Sequence, residues 1–166
     1  DGKRFATGGP KGGVTIWDAA AGTELTTLPA GASLIWDVVF SPDGRWLASG
    51  SQDGTAAIWD AAIGAKLVTL SEHQAGKGIA AMAFSPDGSN IVVGNEGGEI
   101  RVCDTETGKE IMKFPGNQGS VATLAYYPDG RRILSGSWDG TAKVWDAATG
   151  TEVLTIKTEQ DTRLKG

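Results

Sequence analysis

Two dipeptides recur along the chain with the same period, and this repetition constrains the fold more than any other feature of the sequence. Asp-Gly pairs are spaced by 42, 44 and 42 residues and begin at Asp1, Asp43, Asp87 and Asp129. A second marker, Trp-Asp or once Cys-Asp, has the same three spacings and begins at Trp17, Trp59, Cys103 and Trp145. The 166 residues therefore contain four repeats, at about 1–34, 35–77, 78–119 and 120–156, followed by a tail or the start of a next inner strand at 157–166.

Each repeat reads as four short strands, named a to d, separated by turn signals. In the second repeat, an apolar run at 35–40 precedes Ser41-Pro42-Asp43-Gly44, whose Pro and Gly suit a type I turn. Asp53-Gly54 marks a tight hairpin between strands b and c. No segment has sustained helical periodicity, so the sequence predicts an all-β fold.

Strand c is apolar on both faces of its predicted sheet. Ile58 lies on one side and Trp59 on the other, and the other repeats follow the same pattern. Such a sheet is not stable alone in water and must pack between copies of itself, as in a β-propeller. We therefore expect four blades of four-stranded antiparallel sheet. The first blade is expected to lack its inner strand a, because the sequence opens within an a–b turn.

Longer motifs in the second and fourth repeats resemble the WD40 repeat. The second repeat has Ser-Pro-Asp-Gly, then Leu-Ala-Ser-Gly-Ser-Gln-Asp-Gly-Thr at 47–55, then Ile-Trp-Asp at 58–60, and the fourth keeps this order between 128 and 146. The resemblance extends from residue 1 to about 156. It implies a propeller that acts as a non-catalytic scaffold for protein–protein interaction.

One departure from the family pattern concerns a polar network within each blade. WD40 blades often link a His before strand a, a Ser or Thr in strand b, an Asp in the b–c turn and the Trp of strand c. Gly31 and Asn117 stand where that His is expected, and His73 lies in a longer loop. We therefore expect no complete network, and we expect each blade to rely more on packing than on polar contacts.

The number of blades in the closed ring is left open by the repeat count. The chain is consistent with part of a propeller of about six to eight blades, with two copies joined into an eight-bladed ring, and with a lone four-bladed closure. The spacing places a next strand a near Arg163, in a short polar segment. An unclosed array exposes two apolar faces, so we expect self-association or additional blades.

Composition excludes several classes of function. A formal net charge of −5 and a pI near 4.8 argue against nucleic-acid binding, and the absence of an apolar run of about 18 residues argues against a membrane partner. One Cys and one His cannot form an internal disulfide or a zinc site of four such ligands. The Gly-rich stretch at 8–13 aligns with a b–c hairpin and lacks the Gly-Lys-Ser/Thr of a phosphate loop.

No catalytic residue, cofactor or metal is therefore expected. The single Cys and an opening unlike a signal peptide favour a cytoplasmic location. Two alternative functions stay open: an excised or engineered half-propeller that assembles into an eight-bladed ring, and a small-molecule sensor or enzyme that uses the central channel. The apolar strands a count against the second alternative.

The loops predict where a partner binds. In propellers of this type the d–a and b–c loops share one face, and here those loops vary while the a–b and c–d turns are nearly uniform. Trp138 lies in a turn where other repeats have Gln52, Glu96 or Pro10. Aromatic residues at such positions are typical interface anchors. We expect a protein or peptide to bind this face through Trp138, Trp36, His73, Lys77, Lys11, Glu96 and Asn117.

Overall fold

The computed structural model describes residues 2–70 and 77–157, and these residues form fifteen β-strands and no helix. Blade 1 contains β1 (Arg4–Gly8), β2 (Gly13–Asp18) and β3 (Glu24–Pro29). Blade 2 contains β4 (Ile35–Phe40), β5 (Trp46–Ser51), β6 (Ala56–Asp60) and β7 (Lys66–Thr69). Blade 3 contains β8 (Ile79–Phe84), β9 (Asn90–Asn95), β10 (Ile100–Asp104) and β11 (Glu110–Phe114). Blade 4 contains β12 (Val121–Tyr126), β13 (Arg132–Ser137), β14 (Thr141–Asp146) and β15 (Glu152–Lys157).

The strands of each blade pair in chain order as an antiparallel meander. The all-β prediction is therefore confirmed, as is the three-stranded first blade within the described residues. The inner strands lie side by side, with β4 contacting β8 and β8 contacting β12. Each inner strand carries a β-bulge near its start, and in β4 the additional residue at the bulge is Trp36. The strand predicted near Arg163 falls outside the described residues.

Repeated acidic residues build the turns. In the a–b turn of blade 2, the Asp43 carboxylate accepts hydrogen bonds from Ser41 Oγ at 2.6 Å and from the backbone N–H of Arg45 at 3.0 Å. Gly44 follows at φ 71°, a conformation that other residues adopt with strain. In the c–d turn, Asp60 accepts the backbone N–H groups of Ala62 and Ile63. The recurrent Asp residues therefore shape the blade.

Hydrophobic clusters join successive blades. Between blades 1 and 2, Val14 and Ile16 pack with Leu47 and Trp59. Between blades 3 and 4, Ile100 and Val102 pack with Ile133 and Trp145. Between blades 2 and 3, Ala48 and Ile58 pack with Ile91 and Cys103. Each fully buried aliphatic side chain contributes about 1.5–3 kcal/mol, so burial between sheets holds the array together.

Candidate binding face

Backbone hydrogen bonds bring the b–c turns and the d–a loops onto one face of the array. The N–H at the start of a b–c turn donates to a carbonyl of the d–a loop: Gln52 to Leu34 at 2.8 Å, Glu96 to Gly78 at 3.0 Å and Trp138 to Ser120 at 3.0 Å. This surface, the loop face, comprises the described residues 9–12, 30–34, 52–55, 77–78, 96–99, 115–120 and 138–140. The grouping of these loops was predicted from the resemblance.

The opposite surface, the turn face, is formed by the a–b and c–d turns. Ala61 donates its N–H to the Arg45 carbonyl at 2.9 Å, and Ala147 donates to Arg131 at the same distance. Tyr127 opens the a–b turn of blade 4, where blades 2 and 3 have Ser41 and Ser85. Its ring is exposed. The turn face therefore also carries an aromatic side chain.

Trp138 projects from the loop face on a turn that is held in place by other groups. The Trp138 side chain is 83% exposed. Its own backbone N–H is bound to Ser120, and the Gly140 N–H donates to the Ser137 carbonyl at 3.2 Å. The turn therefore does not need the indole for its shape. A preorganised turn that presents an exposed aromatic loses little backbone conformational entropy on binding.

Asp139 ties this turn to the loop that precedes blade 4. One carboxylate oxygen accepts Thr141 Oγ1 at 2.6 Å, and the other accepts the backbone N–H groups of Gln118 at 2.8 Å and Gly119 at 3.2 Å. Burial alone would raise the pKa of Asp139, but these hydrogen bonds outweigh it and lower the pKa to about 2. The carboxylate is therefore ionised at neutral pH and anchors both loops.

Blade 4 contains a polar network that was not expected from the sequence. Trp145 Nε1 donates to Ser135 Oγ at 2.9 Å, and Ser135 Oγ donates to Asn117 Oδ1 at 2.9 Å. The Asn117 amide then donates to Thr141 Oγ1 at 3.1 Å, which in turn donates to Asp139. The expectation of no complete network is wrong in this blade, because an amide supplies the acceptor and the donor expected of a histidine.

Asn117 itself is only 7% exposed, so a partner on the surface does not reach its amide. The prediction that Asn117 contacts a partner is not supported by this burial. It instead supports the loop on which Gln118 lies.

Trp36 is half-buried, and its ring lies so close to Gly78 that a Cβ there would overlap it. Trp36 therefore packs between the loops of blades 2 and 3. Glu96 Oε2 accepts the Gly78 N–H at 3.2 Å, and the aliphatic part of Lys77 lies near Gly97. Trp36, Lys77 and Glu96 thus form one group around Gly78. Lys11 is exposed on blade 1, away from this group, and His73 lies outside the described residues.

Sequence analysis did not single out Asp37 on inner strand β4. Its Oδ2 accepts the backbone N–H of Met82 at 2.6 Å, and burial raises its pKa despite this hydrogen bond. The signal was available, because the counterparts of Asp37 in β8 and β12 are Ala81 and Thr123. Asp37 therefore links the inner strands β4 and β8.

Within 2–70 and 77–157, no group of three His, Cys, Asp or Glu side chains converges as a metal site requires. Over those ranges, no helix has the length and apolarity needed to cross a membrane. A polar depression of about 680 Å³ adjoins the Trp138 turn and is lined by residues that include Gln118, Asp139, Lys143 and Glu152.

Antiparallel sheets that stack face to face around adjacent inner strands define a β-propeller. Family comparisons agree with this class. The WD domain, G-beta repeat family matches residues 22–60 and 108–146, and the anaphase-promoting complex subunit 4 WD40 domain matches residues 62–119. The chain belongs to the WD40-repeat β-propeller family. No curated protein matches the sequence.

Solved structures of two designed proteins are similar to this chain. The computationally designed Ika8 protein is 31% identical and superposes with a TM-score of 0.83 over 96% of this chain and 48% of its own. The computationally designed Ika4 protein is also 31% identical, with a TM-score of 0.77 over 88% of this chain and 86% of its own. This chain therefore spans about half the length of Ika8 and most of Ika4.

Proposed function

We propose that this propeller is a non-catalytic scaffold that binds a protein or peptide segment on the loop face of blade 4, with Trp138 as the anchor. WD40 propellers are generally protein-binding scaffolds, which supports this class of function. The observation that supports this location is the 83% exposure of Trp138 on a turn already held by its backbone and by Asp139. Folding alone does not require an indole there.

The surroundings of Trp138 suit a binding segment. The neighbouring depression offers the Gln118 side chain and the Lys143–Glu152 ion pair at 2.8 Å, so polar groups surround an apolar anchor. Interfaces commonly have this arrangement of an aromatic centre and a polar rim. A segment that covers the indole with an apolar side chain would gain most of its binding free energy at that contact.

Selection from a library of random peptides displayed on phage tests this proposal. Selected peptides should bind the Trp138→Gln variant about 30-fold more weakly than the wild type, because interface hot spots are worth about 2 kcal/mol or more. Glutamine is the residue that blade 2 has at this turn position, so the variant keeps the turn. Isothermal titration calorimetry gives the affinities.

Tyr127→Ser is the matched control, because Tyr127 is an exposed aromatic on the turn face and Ser is the residue of blades 2 and 3. This variant should bind the selected peptides as well as the wild type. Peptides whose affinity depends on Tyr127 and not on Trp138 would place the binding surface on the turn face and refute the proposal.

A further inference from the structure

Among the residues that the structure describes, the outer strands leave one face of the array without the cover that the other blades have. Leu28, Leu70 and Phe114 occupy the same position of strand d in blades 1 to 3 and are 0%, 2% and 2% exposed. Ile156 occupies this position in blade 4 and is 53% exposed. The difference arises because the first three faces each receive the next blade. We call the face of blade 4 that carries Ile156 and Leu154 the trailing face.

A glycine of the next blade's c–d turn provides part of that cover. A Cβ at Gly64 would lie 3.0 Å from Leu28 Cδ2, and one at Gly150 would lie 2.8 Å from Phe114 Cδ1. The counterpart in blade 1 is Gly22, whose Cβ position has no heavy atom of the described chain within 4 Å. Gly22 therefore lies at the position that contacts the preceding blade elsewhere, but no described blade packs against it.

Blade 1 has a complementary open face, the leading face, which carries Phe5 and Trp17. Phe5 is 45% exposed, whereas its counterparts Leu47, Ile91 and Ile133 are all 0% exposed. The Phe5 and Trp17 rings stack with centroids 6.1 Å apart. In the described residues, no hydrophobic cluster joins blade 4 to blade 1, so both faces are open at once.

An arginine that joins blade 1 to blade 2 has a counterpart in blade 4 that could make the same contact with a following blade. Arg4 donates from Nη1 to the Ala61 carbonyl at 3.0 Å and from Nη2 to the Gly44 carbonyl at 2.6 Å, joining blade 1 to the turns of blade 2. The counterpart in blade 4 is Arg132, which is exposed and lies over the ring of its own blade's Tyr127. Repetition of the contact would direct Arg132 to the Ala19 carbonyl of a following blade 1.

We infer that two copies of this chain join head to tail, with the trailing face of each covering the leading face of the other, to form an eight-bladed ring. Each contact would repeat the geometry already present between blades 1 and 2. Because the two joined faces differ, a two-fold axis closes the ring through two identical contacts. The superposition of 96% of this chain on 48% of Ika8 indicates that two copies span a chain of that length. This inference is independent of the binding function proposed above.

Light scattering coupled to size-exclusion chromatography tests the inference on the 166-residue chain. A single species with twice the monomer mass of 17.2 kDa is expected. A monomer at micromolar concentration, or a ladder of larger species, would overturn the two-copy ring.

Two matched substitutions test the trailing face. Ile156→Glu should raise the dissociation constant of the dimer at least about 100-fold, because it places an unpaired carboxylate in the contact. Ile111→Glu is the control: Ile111 is 54% exposed, and its counterparts Leu25, Leu67 and Val153 are exposed in every blade, so neighbouring blades leave this position open. Equal dissociation constants for the two variants would refute the inference. Both side chains are half-exposed, and far-UV circular dichroism verifies that each variant keeps its sheets.

A mixing experiment distinguishes head-to-tail pairing from pairing of like faces. Phe5→Glu should weaken the dimer as Ile156→Glu does, because it alters the opposite side of the same contact. An equimolar mixture of the two variants should recover dimer, since the mixed ring has one unaltered contact and confines both substitutions to the other. If Phe5→Glu leaves the dimer intact, or if mixing recovers none, the head-to-tail arrangement is wrong.

Discussion

Replacement of Asn117 by Ala tests whether the polar network of blade 4 stabilises the fold. The amide of Asn117 accepts a hydrogen bond from Ser135 and donates one to Thr141, and Asn117 and Ser135 are 7% and 0% exposed. Each lost hydrogen bond costs about 1 kcal/mol, and the buried Ser135 hydroxyl left without an acceptor costs a further 1–3 kcal/mol or so. Asn117→Ala should therefore lower the free energy of unfolding by about 3–5 kcal/mol.

Urea unfolding at 25 °C and one fixed protein concentration measures this loss, since self-association would make stability concentration-dependent. Gln118→Ala is the control, because Gln118 is exposed and only its backbone N–H binds Asp139. It should stay within about 0.5 kcal/mol of the wild type.

A double-mutant cycle identifies the orphaned hydroxyl as the source of the cost. Removing Ser135 together with Asn117 also removes that hydroxyl, so the double variant should be more stable than the sum of the single losses implies, by about 1 kcal/mol or more. An additive cycle, or a loss below about 1 kcal/mol for Asn117→Ala alone, would show that the network contributes little and that packing holds the blade.

Two further predictions concern packing and pH. Gly50→Ala should destabilise the chain by about 1–3 kcal/mol, because the added Cβ would lie 2.5 Å from Cγ2 of the isoleucine that begins β8. Gly13→Ala is the control, because no heavy atom lies within 4 Å of its Cβ position. It should be nearly neutral in the same urea assay. Although burial opposes the shift, Lys113 and Arg101 lower the pKa of Glu99 from 4.5 to about 2. The stabilisation by the ionised Glu99 carboxylate is therefore present above pH 4.5 and lost as the pH falls towards 2. Between about pH 5 and pH 3, the Glu99→Gln variant should lose less free energy of unfolding than the wild type. Equal losses would contradict this assignment.

The repeat period predicted most of the fold. Period, turn chemistry and the two apolar faces of strand c together required blades that stack, and the first blade's missing inner strand followed from the register of the markers. Such features are local in sequence, and each recurs four times, which makes them readable without coordinates. The sharing of one face by the b–c and d–a loops came from the family resemblance rather than from the residues.

The polar network was missed for a different reason. Sequence reasoning looked for a histidine before strand a and treated Asn117 as a surface residue. What decides the role of Asn117 is the approach of Ser135 and Thr141 from two other strands, and pairwise distances of this kind are not encoded in one short motif. The half-burial of Trp36 against Gly78 likewise depends on a contact between loops of different blades.

Departures from the repeat have different meanings once the contacts are known. Cys103 stands where other blades have a buried Trp, in the hydrophobic cluster between blades 2 and 3. Trp46 of blade 2 packs against this cluster, so the neighbouring blade supplies the aromatic volume that Cys103 lacks. A compensated departure of this kind serves the fold. Trp138 departs from its counterparts without a compensating contact, because its ring is exposed. Ile156 fits the apolar pattern of its counterparts, but within the described residues no following blade packs against it. An uncompensated departure therefore points to a bound partner, and an uncovered regular position points to another blade.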